Sequence, residues 1–421
     1  MHMERINANK RKSILVLLPY YFPGYKAGGP IRTIANMVEA LGEDACFMVV
    51  TRDRDLGDRD KYAGIRTNQW QKVNKADVYY SSPKNVTFPF LARLIRSTPH
   101  DILYLNSFFS PAFTIAPLVL RRLGILPCIE TIVAPRGEFS PGALKLKSFK
   151  KRVYMKVASA LKLYDGVVWH ASNQMEKAQI EQTIGHGLAG HLVPLAQNKQ
   201  LVIKMAMNMF VAAIPAQPVP PDDDRQILAK QQGILKLLFL SRISPKKNLD
   251  TALNLLARVH GDIAFDIFGP IEDERYWKQC QELIKKLPPR IKVTYRGVLR
   301  PSEVSGAFSM YHLFLFPTQG ENFGHVIIEA LSAGCPVLIS DQTPWRNLEN
   351  QNIGWDIPLT RLELFIEKLQ RCVDMDEKQF KEMQECIFRY CRERTQQDNS
   401  LEENRRLFGL CRRGKIGRSV M

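Results

Sequence analysis

Residues 319–329 read Q-G-E-N-F-G-H-V-I-I-E, and the carboxylate that closes the run sits inside an apolar sequence, V-I-I-E-A-L-S-A at 326–333. A charged group is almost never fully buried unless something pairs with it or bonds to it. Glu329 therefore looks outward to solvent, pairs with a buried arginine, or serves a ligand. Its surroundings set the local structure. H-L-F-L-F-P (312–317) reads as a strand ending at Pro317, T-Q-G-E-N-F-G (318–324) as a loop, and the next residues as a helix that stops at G-C-P (334–336). Glu321 and Glu329 are eight residues apart, a little over two helical turns, so one lies at the mouth of the helix and the other lower on nearly the same face. Both can address a single elongated ligand, with the backbone N–H groups of Asn322, Phe323 and Gly324 between them.

Outward from this unit, short β-branched runs alternate with helical stretches, the pattern of parallel sheets buried on both faces. Strands are predicted at 13–18, 46–51, 102–105, 128–133 and 166–169, and then at 236–240, 264–268, 291–295, 313–316 and 336–339. Two such series imply an α/β protein of two doubly wound, Rossmann-like domains facing across a cleft. The proline-rich I-P-A-Q-P-V-P-P-D-D-D-R (214–225) forbids a regular element. The expected division is residues 1–213, a linker at 214–228, a second domain at 229–395, and a returning helix with a basic tail at 396–421. The Met-rich apolar stretch 191–213 reads as a core helix or as a partner or membrane contact.

Two further motifs follow predicted strands. Y-K-A-G-G-P (25–30) opens a helix, and Gly28 and Gly29 allow close backbone approach to an anion at a helix N-terminus; a plain turn explains it equally well. In S-R-I-S-P-K-K-N-L-D (241–250), Arg242 leaves a strand and Lys247 starts a helix whose dipole is already positive there. An anion between them removes the conflict, and a diphosphate suits a guanidinium fork and an ammonium point charge.

With these residues in view, the chain resembles family 4 glycosyltransferases, retaining sugar-nucleotide enzymes of the GT-B fold. Q-G-E-N-F-G-H-V-I-I-E-A-L-S-A-G-C-P-V-L-I-S-D (319–341) and S-R-I-S-P-K-K-N-L-D carry the resemblance, with looser support from Y-K-A-G-G-P, N-S-F-F-S (106–110) and A-P-R-G-E-F-S-P-G-A-L (134–144). The resemblance implies that Arg242 and Lys247 hold the donor diphosphate. Glu321 would contact the transferred sugar, aided by the backbone of Asn322, Phe323, Gly324 and His325, and Glu329 would bind the ribose. Gly28 and Gly29 would shape the facing loop, Arg136 and His170 would face the cleft, and Gly297 joins the nucleotide-binding set. His170, a histidine at a strand end, reads equally as a satisfied structural residue. No cofactor or essential metal is implied, because two cations and a helix dipole do an ion's work. D-D-D (222–224) lies in the linker and reads as solvated loop. No carboxylate nucleophile of the glycosidase kind stands out. The resemblance implies same-face transfer from a nucleotide-sugar donor, UDP-sugar by family frequency, to a glycan or lipid-linked acceptor in cell-surface polysaccharide or lipopolysaccharide synthesis.

The chain has 421 residues, suited to more than one core, and a formal charge of +17 that attracts anions. Eight scattered cysteines without metal-site spacing read as reduced thiols, and no apolar run is long enough to span a bilayer, so a cytoplasmic protein is expected. The basic amphipathic stretch A-L-K-L-K-S-F-K-K-R-V-Y-M-K (143–156) suggests peripheral contact with an anionic membrane surface. A nucleic-acid binder fits the charge but not the motifs, which include no helix-turn-helix, zinc framework or RNP aromatics. A non-catalytic GT-B scaffold and another kind of GT-B enzyme are the remaining alternatives.

Overall fold

The structure, a computed structural model, describes residues 11–145, 148–187, 209–211 and 228–410. In strand β1 (Lys12–Leu17), Ile14 and Val16 enter one core while Leu15 and Leu17 enter another, because successive side chains point to opposite faces. Helices cover both faces, so both sets are buried and the strand reads as a continuous apolar run.

The first sheet contains β1, β2 (Ala45–Arg52), β3 (Trp70–Val73), β4 (Ala76–Ser81), β5 (Ile102–Asn106), β6 (Glu130–Ala134), β7 (Val168–Ala171) and β8 (Met209–Val211). Their spatial order is β3-β4-β2-β1-β5-β6-β7-β8, parallel except for the β3–β4 hairpin. Around it lie α1 (Gly29–Leu41), α2 (Phe88–Ser97), α3 (Ala116–Arg122), α4 (Pro141–Lys145), α5 (Ser148–Ala160) and α6 (Gln174–Gly187). The second sheet is wholly parallel, in the order β11-β10-β9-β12-β13-β14. It comprises β9 (Ile234–Leu240), β10 (Asp262–Phe268), β11 (Ile291–Gly297), β12 (Leu313–Phe316), β13 (Val337–Ser340) and β14 (Gly354–Ile357). Its helices are α7 (Leu249–Leu256), α8 (Glu274–Lys285), α9 (Val304–Phe308), α10 (His325–Ser332), α11 (Leu362–Asp374) and α12 (Glu377–Gln396). A single large core holds this half together.

The chain then crosses back. Helix α13 (Ser400–Leu407) lies on α1, Arg405 pairs with Asp44 at 2.9 Å, and the Phe408 ring is buried against Phe47 and Tyr104 at centroid distances of 6.1 and 5.7 Å.

Each strand expected from the sequence is present, within one or two residues at most ends. Four more were not foreseen. β3 and β4 form a hairpin at the sheet edge, with Asn74 in the left-handed region at φ 51; β3 is exposed or half-exposed along its length and resembles loop, whereas β4 is buried at all but Asp77. β14 is only four residues long, and β8 corrects the helical reading of 191–213 at residues 209–211, which pair in parallel with β7. The remainder of that stretch, the linker at 214–227, D-D-D (222–224) and residues 411–421 lie outside the described residues.

Candidate functional site

Strand order reverses between β1 and β5 in the first sheet and between β9 and β12 in the second, which is where open α/β sheets bind ligands. The loops leaving these strands face one another across a cleft of about 430 Å³. Its walls include residues 25–30, 32–33, 136–138, 240–242, 246–247, 269–270, 298–299, 321–326 and 329.

Glycines set the approach. Gly28 caps α1 at φ 75 with nothing near its Cβ position, and Gly29 lies against His325 across the cleft, where a Cβ would sit 3.7 Å from Cδ2. Gly324 caps α10 at φ 76, and Trp345 Nε1 donates to Phe323 O at 2.7 Å, which fixes the turn. The first turns of α1 and α10 thus point two positive dipole ends into one space, an arrangement that favours an anion between them.

Several charged groups are paired within this space. Lys247 bonds Glu321, both nearly buried, and Arg242 Nη1 bonds Glu272 Oε1 at 2.6 Å. Glu329 reaches across to Arg32 on α1 through Oε1, while its Oε2 is buried without a hydrogen-bond partner among the described residues. Thr33 Oγ1 lies 3.1 Å from His325 Nε2 beside this pair. Burial, with Arg32 and Arg136 nearby, pushes the His325 imidazole down to about 3, so the ring is neutral at physiological pH. Burial likewise lowers the Arg32 guanidinium below its ordinary value. Arg136, at φ 54 in the left-handed region, donates to Asn106 Oδ1 at 2.8 Å, to Ser172 Oγ at 2.6 Å and to the Tyr104 hydroxyl. Asn322 Nδ2 donates to Ser172 Oγ at 3.1 Å and its carbonyl accepts from Asn173, a second tie between the two halves.

Of the residues singled out in the sequence, Gly28, Gly29, Arg136, Arg242, Lys247, Glu321, Asn322, Phe323, Gly324, His325 and Glu329 all line this cleft. His170 does not. It is fully buried, with Nδ1 2.7 Å from the Tyr104 hydroxyl, because β7 lies inside the first sheet and carries its side chain into packed protein. Gly297 stops one residue short of the wall formed by Val298 and Leu299, and its carbonyl instead accepts the Gly269 N–H at 2.7 Å.

Sequence reasoning missed Arg32, Lys246 and Glu138. Arg32 carried a signal, being a cation in the first turn of a helix with no acid there. Lys246 stands beside the residue that was chosen. Glu138 accepts from Phe109 N at 2.9 Å, Phe108 N at 2.5 Å and Ser107 Oγ at 3.0 Å, and burial raises its carboxyl above the usual range. No local pattern marks it, since its partners come from the loop after β5.

On α5 the apolar residues Phe149, Val153 and Val157, with Leu161 just beyond, recur every four residues and are all exposed, Phe149 at 72%. Lys150, Arg152 and Lys156 are exposed beside them, while Ala158 turns inward. Among the described residues no helix is long and apolar enough to cross a membrane.

Comparisons with known proteins fit this architecture. The structure of HepE from Anabaena in complex with UDP and glucose superposes with a TM-score of 0.62 at 15% identity, covering 95% of this chain and 99% of that one. Two Rossmann-like domains facing across a cleft constitute the GT-B fold. Residues 221–385 match the family described as Glycosyl transferases group 1, a range that contains all six strands of the second sheet. The alpha-monoglucosyldiacylglycerol synthase of Streptococcus pneumoniae is 23% identical over 343 residues, 78% of this chain and 70% of that protein. The GtfA subunit of the UDP-N-acetylglucosamine–peptide N-acetylglucosaminyltransferase of Streptococcus agalactiae is 27% identical over 134 residues, and the match spans only 25% of that protein's length.

Proposed function

We propose that the protein is a retaining glycosyltransferase that moves a sugar from a nucleotide sugar, a UDP-sugar by preference, to a hydroxyl of a glycan or lipid-linked acceptor in cell-surface polysaccharide synthesis. The observation that carries this reading is Glu329, a half-buried carboxylate in the cleft whose Oε2 is buried and lacks a partner among the described residues. A buried polar atom left unbonded is costly, and a ribose hydroxyl would satisfy it. The UDP and glucose named in the HepE complex, and the glucosyl transfer in the name of the pneumococcal relative, support the same donor class.

The chemistry follows from the cleft. Arg242 and Lys247 hold the donor diphosphate with the backbone N–H groups at the start of α10, which stabilises the charge that develops as the bond from the anomeric carbon to the phosphate oxygen breaks. Lys247 then turns from Glu321 to phosphate, and Glu321 accepts from sugar hydroxyls. The acceptor hydroxyl attacks the same face and its proton passes to the departing phosphate oxygen. These side chains supply the charge stabilisation without an essential metal. The exposed stripe of α5 with its lysines and arginine supports a reading in which the acceptor side meets an anionic membrane surface on the inner, cytoplasmic face.

A thermal-shift panel of UDP-, GDP- and ADP-sugars tests the donor site. A UDP-sugar is expected to stabilise the wild type and to have little effect on Glu329→Ala or Arg242→Ala. If no nucleotide stabilises the wild type, or both variants respond as it does, the assignment is wrong. Retention is read from the anomeric configuration of the product by NMR.

A further inference from the structure

Lys246 is left over once the donor site is assigned. Lys26 bonds Asp58, Arg32 bonds Glu329, Arg136 bonds Asn106 and Ser172, Arg242 bonds Glu272, and Lys247 bonds Glu321. Lys246 lines the same cleft, and among the described residues its ammonium has no hydrogen bond and no ion pair. Its backbone is fixed, with the carbonyl accepting from Gln319 N at 2.8 Å. Its stem passes the seam between the two halves: a Cβ added to Gly320 would meet Lys246 Cε and Ser140 Oγ, each at 3.6 Å. Across that seam, Ala143 lines the cleft and its carbonyl accepts from Lys151 Nζ at 2.6 Å.

Lys247, Arg242 and Lys151 all repel the Lys246 ammonium, and only Glu321 attracts it; with burial as the main cause they bring it down to about 8. A half-buried cation held among like charges without a counter-ion is unfavourable, and an anion in the cleft removes the conflict. The donor diphosphate already has Arg242, Lys247 and the start of α10.

We infer that Lys246 receives a second anion, a phosphate carried by the acceptor, at the seam between residues 317–324 and Ser140–Ala143. The acceptor class is then a phosphorylated glycan or a glycan linked to lipid through phosphate, and this rests on the donor reading above. A dianion suits so dense a cluster, and lysine meets phosphate as a point charge.

The test is calorimetric titration of inorganic phosphate into the full chain held at saturating UDP. Wild type is expected to bind phosphate, Lys246→Met to bind it at least about tenfold more weakly, and Lys246→Arg to stay within about threefold. UDP affinity in Lys246→Met is expected to stay within about threefold of wild type. The inference is overturned if UDP-loaded wild type binds no phosphate, if acetate binds as well as phosphate, or if Lys246→Met loses UDP affinity as severely as Arg242→Ala. The last result would assign Lys246 to the donor diphosphate. Should wild type bind no UDP, the donor reading fails, and phosphate titration of the UDP-free protein with and without Lys246 still decides this inference. Glucose 6-phosphate and vesicles containing phosphatidic acid separate the two sources: Lys246-dependent binding of the sugar phosphate assigns a phosphorylated glycan, and Lys246-dependent binding of vesicles alone assigns a lipid phosphate.

Discussion

Of the three readings that the sequence leaves open for Glu329, the structure shows the pairing with an arginine, and the ligand role is the one proposed above. One oxygen meets Arg32, and the other has no partner among the described residues. On the proposed donor reading, a ribose arriving at this carboxylate competes with the Arg32 guanidinium. Arg32→Ala is therefore expected to tighten UDP binding by roughly 3- to 10-fold, and Glu329→Ala to weaken it by at least about tenfold, measured by titration calorimetry. The double variant should bind no better than Glu329→Ala; a double variant as tight as Arg32→Ala would sink the competition. The carboxylate was legible because a charge in an apolar helix contradicts the pattern around it. Its partner was not, because Arg32 lies 297 positions away in the chain and meets it only when two helices from different sheets approach.

Elements hold these residues through backbone contacts that forbid side chains. Gly269, at φ 132, follows β10, and a Cβ there would lie 1.8 Å from Ser241 O, next to Arg242. Gly269→Ala is expected to destabilise the protein by about 3 kcal/mol or more and to weaken UDP binding by displacing the Arg242 loop, read by denaturant unfolding and calorimetry. On α5 the exposed row makes a different prediction. Phe149→Asp combined with Val157→Asp should reduce co-sedimentation with anionic vesicles at low salt at least about fivefold while UDP affinity holds. Unchanged sedimentation would remove the membrane reading. The basic character of this helix was visible in its sequence. That its apolar row faces outward was not, because helical spacing gives a face and not the neighbour that covers it.

For the whole molecule, the returning chain matters most. Phe408 fills the core beside β1 and β2, although it follows the second domain in sequence. Phe408→Ala is expected to cost about 3–5 kcal/mol, and because the residue belongs to the first core, hydrogen exchange should rise in β1, β2 and α1 rather than in β9 or β12. Uniform exchange changes across both sheets would mean that the halves unfold as one unit. The ties between Asn322 and Ser172, between Thr33 and His325, and between Arg32 and Glu329 join the halves at the cleft itself, so a ligand there contacts both.

By itself the sequence determined ten of the fourteen described strands, the starts of α1, α7 and α10, and eleven residues of the cleft, because each depends on a period, a glycine or a charge within one short segment. The tertiary structure alone decided that Arg32 meets Glu329, that Lys246 stands unpaired among the described residues at the seam, that His170 turns away from the cleft, and that the β3–β4 hairpin joins the first sheet's edge. These depend on which loops the two reversal points bring together, and no local pattern encodes a distance between segments far apart in the chain.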